Sequence, residues 1–200
     1  MKGFAEKSRE SYNRIADHYD DTLEGNYTRE FKQGLLDVIS AKPGEQLLDI
    51  GCGNGTLIRM LADKYKIKGF GTDISEKMIE NARQKNPGMT FEVAECEKTP
   101  FEDQTFDIIT VCAAYHHFPD VAAFAKEARR LLRDNGKLYI ADVYYPTLIR
   151  ILCNPILPLS KAGDVKFYSP EEIAATFGAQ GFQKTHLTRT GHIQIISFQK

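Results

Sequence analysis

Short apolar runs alternate along the chain with stretches whose apolar residues recur every three or four positions. Gln46–Ile50 is one such run and ends at Gly51, after which residues 56–64 place Leu57, Met60 and Leu61 on one face of a predicted helix. Residues 69–72 read as a second strand leading to Asp73, and Ser75 then stands at an N-cap with Glu76 in the first turn. Residues 90–94 and 106–112 read as further strands. The latter is apolar almost throughout (Ile108, Ile109, Val111), as burial on both faces requires. Residues 121–133 predict an amphipathic helix begun by Asp120 and stopped by Asn135-Gly136, with residues 137–143 as the next strand. Ser169-Pro170-Glu171-Glu172 is a capping box with proline at the first helical position, and residues 192–199 alternate as a closing strand.

Strands separated by helices of this length predict an α/β fold: a doubly wound, mostly parallel sheet with helices on both faces, which binds ligands beyond the carboxyl ends of its strands. The 200 residues fit one domain, 1–200, with no repeat or linker-like shift in composition. Lys plus Arg number 26 and Asp plus Glu 27, a net charge of −1. That balance argues against a nucleic-acid partner, since phosphate binding needs a concentrated basic surface. Cys52, Cys96, Cys112 and Cys153 form no CxxC pair and no Cys/His cluster with zinc spacing, so reduced thiols in the cytoplasm and no bound metal are expected. Residues 1–21 are too polar for a signal peptide, and the apolar stretch 143–159 is interrupted by Pro146, Arg150, Asn154, Pro155 and Pro158, so no membrane span is expected.

The chemistry concentrates at the strand ends. Asp49-Ile50-Gly51-Cys52-Gly53-Asn54-Gly55 follows the first strand, and glycines at alternate positions let the backbone turn tightly and let a ligand approach the main chain. A plain strand-to-helix turn and a ligand loop both fit that run. A dinucleotide fingerprint, G-x-G-x-x-G, needs its third glycine where Thr56 stands, which disfavours a nicotinamide-dependent oxidoreductase. Beyond the second strand, the Asp73 carboxylate can accept bonds from both hydroxyls of a ribose, a charge-assisted pairing worth about 1.5–3 kcal/mol. It can equally cap the next helix, although Ser75 already offers a cap.

Taken together these residues resemble the class I S-adenosylmethionine-dependent methyltransferases, and within them the UbiE-like (methyltransferase type 11) small-molecule group. LLDIGCGNG at 47–55 is similar to the family's first motif and GTDIS at 71–75 to its second. AECEKTPF at 94–101, followed by Phe106-Asp107, resembles the third, VCAAYHHFPD at 111–120 the fourth, and LLRDNGKL at 131–138 the approach to the fifth strand. The segment Ala16-Asp17-His18-Tyr19-Asp20 also fits the family's A-x-x-Y-D. The resemblance implies a Rossmann-like sheet of seven strands and S-adenosylmethionine as cofactor, with S-adenosylhomocysteine as product. Residue by residue it implies that Gly51 and Gly53 pack against the methionine and ribose parts, that Asp49 faces the amino-acid end, and that Asp73 holds the ribose. It further implies that Ile74 lies on the adenine face, that Glu95 takes the exocyclic amine beside the Cys96 amide, that the Cys112 carbonyl meets the ammonium, and that Tyr19 covers the methionine end. Glu95 and Cys96 depart from the usual Asp and Ala. Tyr12 is expected to be core.

Methyl transfer from a sulfonium is an in-line displacement in which the enzyme aligns the reactants and excludes water, and it needs no metal. An acceptor that must lose a proton needs a base as well. His116 and His117 follow the fourth strand and are the candidates, His117 being the one placed to face the acceptor; packed, hydrogen-bonded histidines are the alternative reading. The sequence lacks the Asn-Pro-Pro-Tyr typical of enzymes that methylate adenine or glutamine amines, having Cys112-Ala113-Ala114-Tyr115 there, which argues against those substrates, and the apolar residues of the insert after the fifth strand favour a small-molecule methyl acceptor, apolar or aromatic. The Arg129-Arg130-x-x-Arg133 cluster reads as a solvated helix face. Residues 1–40 are expected to form a helical cap, and 144–165 a substrate lid whose apolar residues could instead serve a dimer contact or the core. A SAM-binding subunit without catalysis remains a competing reading, and the sequence leaves the oligomeric state open.

Overall fold

A computed structural model describes residues 3–200; Met1 and Lys2, the first residues of the expected cap, lie outside the described residues. Strands β1 (Gln46–Ile50), β2 (Lys68–Asp73), β3 (Thr90–Val93), β4 (Phe106–Cys112), β5 (Leu132–Val143), β6 (Gln183–Thr190) and β7 (Ile193–Gln199) form one seven-stranded sheet in the order β3-β2-β1-β4-β5-β7-β6. The first five pair in parallel and β7 runs antiparallel to both β5 and β6. Between and around them lie helices α1 (Phe4–Ile15), α2 (Leu23–Val38), α3 (Thr56–Tyr65), α4 (Glu76–Lys85), α5 (Val121–Leu131), α6 (Thr147–Cys153) and α7 (Pro170–Gly178).

Successive residues of the central strands feed opposite cores, which is why their apolar runs are continuous. Leu47 and Ile108 pack with Phe31 and Leu35 of α2 and Leu57 and Ile58 of α3; Leu48 and Ile109 pack with Phe124 and Ala128 of α5 and Phe177 of α7. The caps form as the sequence requires. Ser75 accepts from the Met78 amide, Asp120 from the Ala122 and Ala123 amides, and Ser169 with Glu172 completes the capping box.

Two boundaries differ from the sequence pattern. The fifth helix ends at Leu131, not at residue 133, and β5 begins at Leu132, because Leu132 pairs with Phe106 and both leucines are fully buried at that crossing. The Asn135-Gly136 step therefore falls inside the strand, with Asn135 in the left-handed region at φ 63°. The second difference is β6, whose polar sequence QKTHLTRT carries no apolar run; it is held as the outer strand by pairing with β7. In turn β7 is buried along Ile193–Phe198, where alternation predicted one wet face.

The crossover between β1 and β4 opens a crevice at the carboxyl edge of the sheet, and α1, a 3-10 turn over Ala16–Asp21 and α2 lie across it. Asn13 ties α1 down by accepting from the Ser75 hydroxyl at 2.6 Å and donating to Glu76 at 2.9 Å. Asp20 ties the turn to the glycine loop and to α4, accepting from Asn54 and Lys85 at 2.8 Å each.

Candidate active site

The loop after β1 is shaped by its neighbour strand. The Gly51 and Cys52 amides both donate to the Thr72 carbonyl, at 2.8 and 2.9 Å, which folds the chain back over the end of β2. Gly51 has φ 74°, and a Cβ there would lie 2.7 Å from the Ala114 Cβ, so both the dihedral and the space exclude a larger residue. Gly53, at φ 52°, has nothing within 4 Å of where its Cβ would be: its open side faces the crevice.

Asp73 closes the far wall. Its Oδ2 accepts from the Gly53 amide at 2.8 Å and its Oδ1 from the Ser75 amide at 2.9 Å. Burial raises its pKa, and these amide bonds work against that rise. Two oxygens holding one backbone donor each retain free lone pairs, so the carboxylate can still accept from a vicinal diol.

The crevice encloses about 750 Å³ of empty space, open solvent at its mouth included. Tyr19, Gly51, Gly53, Asp73, Ile74, Glu95, Cys96 and Cys112 all line it, from five separate segments of chain. Asp49 does not. It is 1% exposed, accepts from the Thr110 hydroxyl at 2.6 Å, and borders a smaller cavity beside Tyr19, Thr28 and Lys32. Burial lifts its pKa to about 7 despite the Thr110 bond. Tyr19 stands between the two cavities, its hydroxyl pushed by burial up to about 12. Burial likewise pushes the Cys96 and Cys112 thiols far up, so neither is a thiolate at neutral pH.

The two histidines part company. His117 lines the crevice, and its Nε2 lies 3.0 Å from the Tyr12 hydroxyl while its Nδ1 lies 3.4 Å from Asp164. His116 is turned away from the crevice: its Nδ1 meets Asp142 at 2.6 Å, its amide donates to the other Asp142 oxygen at 2.8 Å, and its Nε2 stands 3.7 Å from Asp164. Burial lowers the His116 pKa, but Asp142 outweighs it and the net shift is upward. Burial, reinforced by the charge of His116, pushes His117 down to about 3. The proton of the pair therefore sits on His116, and His117 is neutral. A ring proton on Nδ1, beside Asp164, would leave Nε2 to accept from the Tyr12 hydroxyl. Among the described residues His116, His117 and Asp164 are the group whose donor atoms approach a metal arrangement, all within 4.8 Å of one another. Charge pairing of an imidazolium with Asp142 and Asp164 accounts for the same distances.

Several lining residues carry no sequence signal. Tyr12 is not core as expected; Asn13 pins α1 so that its neighbour faces the crevice. Ala5 and Ser8 follow on the same helix, and Met78 and Phe118 close the sides. Ala113 occupies the left-handed region at φ 52°, a conformation costing a non-glycine residue about 1 kcal/mol or more, at the point where β4 hands over to the crevice. No residue of 144–165 lines the crevice. Within that insert Arg150 binds Glu172 at 2.6 Å, Asn154 binds the Phe167 backbone, and Leu148, Ile151, Leu152, Ile156 and Leu159 are exposed. Arg130 and Arg133 are bound to Glu127, Asp103 and Asp107, not held free for a polyanion. Among the described residues no helix is long and apolar enough to cross a membrane.

A methyltransferase-domain family profile matches residues 48–140, from β1 through β5. The chain is 33% identical over 134 residues to 27-O-demethylrifamycin SV methyltransferase of Amycolatopsis mediterranei, covering 62% of this chain and 49% of that one. It is 32% identical over 149 residues to 2-phytyl-1,4-naphtoquinone methyltransferase of Trichormus variabilis, covering 69% and 65%. It thus spans about half to two thirds of the length of these relatives. A methyltransferase solved in complex with the Trm112 methyltransferase activator of Haloferax volcanii superposes with a TM-score of 0.83 at 19% identity, over 94% of this chain and 96% of that one, which shows a shared fold.

Proposed function

The chain belongs to the S-adenosylmethionine-dependent methyltransferase family, in its UbiE-like group, and from that membership we propose that it methylates a small apolar or aromatic acceptor in the cytoplasm. The observation that carries the reading is the pairing of an open-sided Gly53 with the Asp73 carboxylate across one crevice. S-adenosylmethionine, when bound, supplies a methyl group on a sulfonium, whose in-line transfer itself calls for no metal. Its ribose suits the free lone pairs of Asp73, its adenine suits Ile74 with Glu95 and Cys96, and its cationic ammonium suits the side on which Asp49 is buried without a charge partner in contact.

The remaining groups address the acceptor. Tyr12 presents its hydroxyl to the crevice and donates to His117 Nε2, so a proton from an acidic acceptor can pass through Tyr12 to a neutral imidazole. Asp164 at 3.4 Å compensates the charge that the imidazole then carries. Phe118 and Met78 give the crevice its apolar walls and exclude water. The relatives above are named for naphthoquinone and demethylrifamycin acceptors, which agree in class with such walls. The pairing of Arg130 and Arg133 with carboxylates supports a small molecule over a nucleic acid, and four free cysteines support a reducing compartment.

Thermal unfolding with S-adenosylmethionine, S-adenosylhomocysteine and NADH tests the cofactor. A ligand at about 100 times its Kd adds about 2.7 kcal/mol, a rise of roughly 5–11 °C for a chain of this size. Asp73→Ala removes the ribose acceptor and weakens adenosyl binding by about ten- to a hundredfold. A rise with both adenosyl ligands that falls to about half or less in the folded variant supports the reading. A rise with NADH alone, or none, ends it. Transfer of a labelled methyl group to a panel of phenols and naphthoquinols then separates an enzyme from a SAM-binding subunit.

A further inference from the structure

The segment from Tyr144 to Gly163 turns its apolar side outward. On α6, Leu148, Ile151 and Leu152 share one face and are 76%, 63% and 73% exposed. The opposite face carries Arg150 and Asn154, and these grip the protein: Arg150 donates to Glu172 at 2.6 Å, while Asn154 donates to the Phe167 carbonyl at 3.1 Å and accepts from its amide at 3.0 Å. No residue of α6 is buried. A helix that anchors itself by its polar side presents its apolar side by construction, and Ile156 and Leu159 extend that face at 61% and 80% exposure.

The charged residues at the edge of the face are mostly basic. Arg150 and Lys161 are the only charged residues between Tyr144 and Gly163, and of these Arg150 is already paired with Glu172. Lys7, Arg14 and Lys161 then line a groove beside Leu159 in which Glu10 is the single carboxylate. In a chain of net charge −1 this is a local excess of basic groups next to exposed hydrocarbon. The face also adjoins the crevice, since Lys7 donates to the Pro158 carbonyl at 2.8 Å and Ser8 to the Ala162 carbonyl at 3.1 Å, and Ser8 lines the crevice itself.

We propose that this face seats on a bilayer surface bearing anionic lipids, with the leucines and isoleucines in the acyl boundary and the lysines at the headgroups. Exposed aliphatic residues ringed by Lys and Arg are what such a surface recognises. A second copy of the chain fits less well, because a twofold contact sets the basic rim of one copy against a like rim of the other.

Flotation with vesicles of phosphatidylcholine, alone or with about one-third phosphatidylglycerol, tests this on the full chain. Binding to the anionic vesicles about tenfold or more tighter than to neutral ones, weakened by salt, is expected. The triple variant Leu148→Ser, Ile151→Ser, Leu152→Ser loses the binding, and Lys161→Glu weakens it about fivefold or more, since each basic group at such a surface is worth about 1 kcal/mol. All these positions are exposed, so melting with S-adenosylmethionine should be unchanged in the variants and reports folding and cofactor binding separately. Vesicle binding without any adenosyl-induced rise would keep this proposal and end the functional one. Failure to float with either vesicle overturns it, as does a concentration-dependent dimer in light scattering that the triple variant abolishes.

Discussion

His117→Gln lowers turnover of a proton-losing acceptor by about 10- to 100-fold, at or below the low end of the usual general-base range because a pKa of about 3 makes the imidazole a weak proton acceptor. Glutamine can still accept from the Tyr12 hydroxyl now 3.0 Å from His117 Nε2, but it cannot take the proton on. Adenosyl binding is untouched, so the melting shift persists while kcat falls. Tyr12→Phe should fall with it, and the double variant should lose little more, because the two act in series. The pH profile separates this from a packing role. Burial and His116 hold the His117 pKa far below the ordinary 6.5, at about 3, so the imidazole is already in its basic form throughout the neutral range. The rate should therefore show no acid limb near pH 6.5. A threefold or smaller loss of kcat in a folded His117→Gln protein would make the histidine a packed residue and leave proton removal to solvent.

The parts of this site that the sequence announces are those where backbone geometry restricts residue type. Gly51 and Gly53 need left-handed dihedrals or open space, and Asp73 must satisfy two amides at a strand end; such demands leave glycines and a carboxylate at fixed spacing. The strands are legible for a similar reason, because β1 and β4 are buried on both faces and tolerate little but aliphatic residues. Tyr12 was illegible because its position depends on where α1 crosses the sheet, which Asn13, Ser75 and Glu76 decide from more than sixty residues apart. Asp164 is hidden in the same way: it faces His117 only because the 144–165 insert brings it back over β4's end, where Val165 donates to the His116 carbonyl at 2.8 Å. β6 escaped notice because an edge strand needs a partner more than an apolar pattern. Apolar composition suggests a lid facing inward, but orientation is set by the few polar anchors, and Arg150 and Asn154 point the helix outward.

Asp49→Asn should make the protein more stable and its cofactor binding weaker. The buried carboxyl keeps its proton up to about pH 7, whereas an unfolded Asp loses it near 3.8. Between those values the native state holds more protons than the unfolded one, so stability falls as pH rises from about 4 to about 7. The raised value corresponds to a cost on the order of 4 kcal/mol at pH 8, an upper bound before relaxation of the site. Asparagine keeps an acceptor for the Thr110 hydroxyl, now at 2.6 Å, and removes the titration. Its Tm should accordingly exceed that of the wild type at pH 8 and match it near pH 4. The same carboxyl links pH to the ligand. A cationic ammonium on that side favours ionised Asp49, so binding releases a proton, and apparent affinity for S-adenosylmethionine should rise about tenfold from pH 6 to pH 8. In Asp49→Asn that rise is lost and the affinity is low at both values. Equal pH dependence of stability in the two proteins would show that Asp49 is ionised where it stands. A pH-dependent affinity that survives the substitution would assign the linked proton to a different group.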